Sequence, residues 1–267
     1  MTHPETALPY PGSTIFFHDR PAPGVLRLWL DTGLAGNAIT HENHREFSTI
    51  WPAVATDDEA RVVIVQGGDG ALCEGGDLSF LPPLLDDGTL RATVRDDIVA
   101  LVRNIIECPK PIITAIEGTC TGGGLAMALM ADIPVAARSA VLVDAHVVAG
   151  LACGDHAAFA WPLLMGMAKA KYHLLTARPL TADEAERNGL IARCVDDADL
   201  HDDVLDIATT IARYHPDGVS LTKRSAGGWY QMAMPIFEMS ASHEASGFAG
   251  DGVRELLTRA GMGGTDA

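Results

Sequence analysis

The stretch from Pro111 to Met130 constrains this chain more than any other. A short β-branched run, Pro111 to Ile116, leads through the triplet Gly122-Gly123-Gly124 into Leu125 to Met130, which is apolar at every position. A helix with no polar face must be covered on all sides, so this segment belongs inside a layered core. The same grammar recurs upstream. Val25 to Leu30 reads as a strand, Thr40 to Val54 as a helix, and Arg61 to Val65 as a buried strand ending at Gly67-Gly68. Val94, Ile98, Leu101 and Ile105 repeat at helical spacing, so Leu90 to Cys108 is an amphipathic helix stopped by Pro109-Lys110-Pro111. Strands separated by helices pair in parallel through crossovers, which makes the chain α/β.

After Trp161 the pattern turns mainly helical. Leu180 to Asn188, Leu200 to Tyr214, Val219 to Gln231 and Ile236 to Ala260 carry helix-type composition, and Gly261 to Ala267 is a Gly-rich end expected to fray. No linker or repeat divides the 267 residues. One domain is expected, with a core over about 15–200 and a helical segment over about 200–260 that covers it or contacts another subunit.

Composition excludes several classes. A formal charge of −16 disfavours nucleic acid and anionic membrane surfaces as partners, and weighs against a strongly basic pocket. The longest apolar runs fall far short of the roughly 20 residues that span a bilayer. The N-terminus lacks a basic start and an apolar signal core, and the five cysteines include no C-x-x-C pair, which fits reduced thiols in the cytoplasm. No histidine–carboxylate spacing suggests a metal, and no phosphate loop or dinucleotide fingerprint is present.

Two glycine sites carry the chemistry: Glu74-Gly75-Gly76-Asp77 after the Val62 strand, and the triplet that opens the apolar helix. Backbone N–H groups at such places are unpaired and approachable, and two of them aimed at one oxygen make an oxyanion hole. The stretch Cys108 to Gly124, continuing to Ala131-Asp132-Ile133, resembles the signature of the crotonase (enoyl-CoA hydratase/isomerase) superfamily. Leu72-Cys-Glu-Gly-Gly-Asp-Leu resembles that family's first oxyanion loop, and Leu180 to Ile191 its usual later helix. The resemblance spans roughly residues 20 to 250. It implies a ββα spiral with a helical C-terminal segment, trimers or dimers of trimers, and Gly76 and Gly123 as the two oxyanion donors.

The catalytic positions differ from those of the hydratases. That family uses two glutamates, and here their places hold Ala126 and His146. Alanine transfers no proton. Histidine exchanges protons near neutral pH, and a carboxylate partner fixes its tautomer. The segment Asp144 to Gly166, with His146, Gly154-Asp155 and Trp161-Pro162, resembles the β-diketone hydrolase branch typified by 6-oxocamphor hydrolase. That branch performs retro-Claisen C–C cleavage without coenzyme A, and the resemblance implies His146 oriented by Asp155, with Glu244 from the helical segment.

It also places Gly124 where that branch has a pocket histidine, and gives His44 a positional counterpart, although His-Arg-Glu is common on that helix and surface structure stays open. Trp161 is expected to be core or pocket wall, His156 exposed at a helix start, and Cys73 and Cys153 unreactive.

The expectation is a crotonase-fold enzyme that needs no cofactor and hydrolyses a small-molecule 1,3-dicarbonyl. The alternative is an acyl-CoA hydratase or isomerase with atypical catalytic residues, in which coenzyme A is part of the substrate. A third reading is a catalytically silent binding subunit.

Overall fold

The computed structural model describes residues 3–68 and 70–262. The expected fraying therefore falls mostly on residues 263–267, outside the described range.

A hairpin of β1 (Leu8–Pro9) and β2 (Phe16–Ala22) leads antiparallel into β3 (Val25–Leu30). From there helices alternate with strands: α1 (His44–Ala55), β4 (Val62–Gly67), the short α2 (Pro82–Asp86), α3 (Gly88–Glu107) and β5 (Ile112–Ile116). The two-residue β6 (Thr119–Cys120) precedes α4 (Gly122–Met130), β7 (Ile133–Ala137) and β8 (Val141–Leu142). β3, β4, β5 and β7 run parallel, as crossovers require. The later chain forms α5 (Ala157–Met165), α6 (Met167–Thr176), β9 (Leu180–Thr181), α7 (Ala182–Asn188) and β10 (Arg193–Val195). It closes with α8 (Leu200–Ala212), α9 (Pro216–Gly247) and α10 (Asp251–Arg259). The main sheet has the order β1-β2-β3-β4-β5-β7-β10, and β6, β8 and β9 make a second, three-stranded sheet. This is the α/β crotonase architecture: a mixed sheet with a helical C-terminal segment.

Every residue of β4 and β5 is buried, and so is α4 from Gly124 to Met130. These runs form one contiguous core. The C-terminal helices depart from expectation. Pro235 lies inside α9, a helix of 32 residues that continues through it and breaks only near Phe248. A proline removes one intrahelical hydrogen bond, and here the packing of Ala233, Phe237 and Ala241 spans the defect. No described helix is long and apolar enough to cross a membrane, and all five cysteines are free thiols.

Candidate active site

Asn37 explains why the first glycine loop is held open. Its backbone is left-handed (φ 51°), which suits Asn, and its side-chain amide donates to the carbonyls of Ala71 and Leu72 at 3.1 and 3.2 Å. Just beyond, Ile39 forms a parallel bridge with Gly76: the Ile39 N–H donates to the Gly75 carbonyl and the Asp77 N–H to the Ile39 carbonyl. In a parallel bridge the residue between those two bonds turns its own N–H away from the partner, so the Gly76 N–H is free of the ladder.

The second loop packs on the first. Gly75, at φ 83°, lies so near Thr121 that a Cβ there would sit 3.0 Å from the Thr121 carbonyl. Gly123 occupies the first turn of α4, whose N–H groups have no intrahelical acceptor. Gly76 and Gly123 line one cavity of about 170 Å³, as the oxyanion reading requires. Asp77 also lines the cavity, and its carboxylate accepts from the Ser79 N–H, which shapes the loop's exit. Burial pushes the Cys73 thiol up to about 12 and the Cys153 thiol to about 11, so neither is an activated nucleophile.

His146, Asp155 and Glu244 line the same cavity, with His44 at its side. His146 opens a one-turn 3-10 helix after β8, Asp155 precedes α5, and Glu244 comes from α9. Gly154 makes the third approach possible: a Cβ there would stand 2.4 Å from the Ser240 carbonyl and 2.6 Å from the Glu244 Cβ. Gly154→Ala is therefore expected to push α9 outward, costing about 1–3 kcal/mol in a denaturant titration. It should also lower turnover, since Glu244 moves with the helix.

The arrangement around His146 departs from expectation. Asp155 does not orient His146: its Oδ2 lies 3.8 Å from His146 Nε2, while its Oδ1 accepts from His156 Nδ1 at 2.8 Å. The carboxylate on His146 Nδ1 is Asp144, at 3.1 Å, and Nε2 faces Glu244 Oε1 at 3.4 Å. His156 is fully buried rather than exposed, because Asp155 and Trp161 meet both ring nitrogens. Trp161 is fully buried outside the cavity lining, its indole donating to His156 Nε2 at 3.1 Å. Gly124 is also absent from the lining: a Cβ would come within 2.6 Å of Cys73, so the glycine serves close packing. His44 is half-buried against the cavity, its ring 5.3 Å from Phe80 and Nδ1 3.4 Å from Asp97.

Asp144 was missed, although it stands two residues before His146 at the end of the β8 segment. That local pairing was the signal.

Burial alone would lower the proton affinity of His146, but Asp155, Asp144 and Glu244 reverse this and hold it well above its ordinary value. Burial raises the Glu244 carboxyl, with His146 opposing and Asp155 and Asp144 reinforcing. Burial would raise Asp155 too, yet the hydrogen bond donated by His156 and the charge of His146 hold it well below the usual carboxylate range. An imidazolium beside a carboxyl of raised proton affinity, in the cavity that Gly76 and Gly123 also line, can deliver or withdraw a proton. Asp144, Asp155 and His156 also stand close enough to suggest a metal. The indole N–H consumes the Nε2 lone pair of His156, however, so its proton sits on Nδ1, where a cation would have to bind.

Residues 22–234 match the family model described as enoyl-CoA hydratase/isomerase. The chain is 31% identical to 1,2-epoxyphenylacetyl-CoA isomerase of Escherichia coli, over 76% of this chain and 78% of that protein. It is 32% identical to (E)-benzylidenesuccinyl-CoA hydratase of Thauera aromatica, over 72% and 74%. Among solved structures, an enoyl-CoA hydratase/isomerase from Mycobacterium paratuberculosis superposes with a TM-score of 0.88 at 26% identity, covering 94% of this chain and all of that one.

Proposed function

We propose, from the premise that this chain belongs to the enoyl-CoA hydratase/isomerase family, that it moves a proton on an acyl-CoA thioester through an enolate intermediate. One observation carries the reading: the oxyanion glycines and a single histidine–carboxylate cluster share a cavity, while Ala126, buried where the hydratases place a glutamate, has no titratable group.

The thioester oxygen accepts from the Gly76 and Gly123 N–H groups. The Glu244 carboxylate takes a proton from carbon, and the electron pair of the broken C–H bond moves onto the oxygen. The His146 imidazolium returns a proton to a carbon of the enolate as the C=O re-forms. A hydration that uses two glutamates has only one such centre here, so isomerisation is the better fit. The similarity to an acyl-CoA isomerase and an acyl-CoA hydratase supports the substrate class. No cofactor is required.

A second reading is the hydrolytic retro-Claisen cleavage of a β-diketone. Arg95 is the one lysine or arginine among the described residues lining the cavity, which leaves few cations for coenzyme A phosphates, and Glu244 beside His146 is placed to activate water.

An assembly of trimers is part of the proposal. Trp229, Met232, Ile236 and Met239 make an exposed apolar row along α9, a surface that another copy would cover. A cytoplasmic setting fits the free thiols.

Wild type and Glu244→Gln are to be compared on a panel of enoyl- and aryl-acetyl-CoA thioesters and on cyclic β-diketones. The expected result is solvent deuterium entering the carbon next to the thioester, lowered about 10²-fold or more by the substitution. Cleavage of diketones without exchange on thioesters transfers the assignment to the second reading. Inertness toward both classes overturns both readings and favours a silent binding subunit.

A further inference from the structure

The two histidines of the site share one carboxylate yet are bonded in opposite ways. His156 has no freedom in its proton. An indole N–H is a donor and never an acceptor, so the 3.1 Å contact from Trp161 requires a bare lone pair on His156 Nε2. The single ring proton must then sit on Nδ1, which makes the 2.8 Å bond to Asp155 Oδ1 a donation from a neutral imidazole. His156 is fully buried and Asp155 nearly so. Asp155 Oδ2 has no protein hydrogen-bond partner among the described residues and lies 3.8 Å from His146 Nε2. His146, by contrast, has a carboxylate at each nitrogen.

We propose that His156 is a positioning residue: the Trp161 indole locks it as the neutral Nδ1–H tautomer, and it in turn holds Asp155 so that Oδ2 is presented to His146 and the cavity. The lock divides the labour. His146 exchanges its proton with substrate, and His156 cannot, so one ring works and the other aims. A protonated His156 would instead neutralise Asp155 and take from His146 part of the charge that supports its imidazolium. This role rests on the reading that His146 transfers protons, but the lock itself does not, so the two are tested by separate measurements.

The lock is read by NMR of the protein labelled with ¹⁵N in its histidine rings. In wild type, the His156 ring should carry a proton on Nδ1 and a bare lone pair on Nε2. In Trp161→Phe, which keeps an aromatic ring but removes the donor, Nε2 loses its partner and the same ring should show a mixture of the two tautomers. A proton on Nε2 or a bare Nδ1 in wild type overturns the proposal whatever the enzyme turns over.

The positioning role is read by kinetics. His156→Asn keeps an N–H where Nδ1 stood, and His156→Phe does not. With whichever substrate the wild type accepts, the Phe variant should lose about 10–10²-fold in kcat with KM changed less than about threefold, and the Asn variant should recover most of the loss. Equal losses in both variants, or a loss confined to KM, would also overturn it. If wild type turns over nothing, the functional reading fails, and the ring-nitrogen spectra still decide the lock.

Discussion

His146→Gln is expected to lose about 10²–10⁴-fold in turnover while substrate binding stays within a few-fold, as removal of a general acid commonly does. Single-turnover rates and an independent binding titration check both halves. The pH dependence follows from the raised proton affinity of the ring. Active enzyme carries the imidazolium, so turnover should hold through neutrality and fall as pH rises through the folded-state value, which lies well above 6.5. Stability moves in the same direction. Because the folded value exceeds the unfolded one, the histidine's contribution is fully present below about pH 6.5 and is lost as pH climbs through the folded value. Removing the ring also leaves Asp144, Asp155 and Glu244 buried together without their cation. That loss costs about 3–5 kcal/mol near neutrality, and lowering the pH should restore part of it as carboxyls take up protons. A variant equally stable at every pH and fully active would remove His146 from the mechanism.

Gly123→Pro is the second large effect. Proline fits the first turn of a helix, where its missing N–H breaks no intrahelical bond, so α4 should survive. What disappears is a donor to the oxyanion, worth about 10²–10³-fold in kcat. Gly123→Ala separates shape from donation. Its added carbon would meet only Ile39 Cδ1, at 3.0 Å, the movable end of a side chain, and the N–H remains. The alanine variant should therefore retain far more activity than the proline variant at similar melting temperature. Equal losses in the two would mean that crowding, rather than the lost donor, accounts for the effect.

The segments whose structure follows from local rules were legible before any coordinates. β3, β4, β5, α3 and α4 fall within a few residues of the runs that specify them, because an all-apolar or singly amphipathic stretch has few ways to be buried. The weaker elements were not. β2, β7 and β10 lack a distinctive pattern and exist because a neighbouring strand supplies their hydrogen bonds. Pro235 reads as a helix boundary, yet α9 runs through it because packing on both sides outweighs one missing bond.

The sequence by itself determined the α/β layering, the two glycine loops, and the residue types at 126, 146, 155 and 244, since chemistry of that kind is written in identity and spacing. Only the tertiary structure decided who bonds to whom. Glu244 reaches His146 from about a hundred residues away because Gly154 has no side chain to hold α9 off. Asp155 turns from His146 to His156 because Trp161, five residues along, presents a donor to the far side of that ring. Asp144, two residues before the ring, is the carboxylate at His146 Nδ1. Hydrogen bonds depend on orientation within a few tenths of an ångström, and spacing along a chain does not encode orientation between segments that meet only after folding.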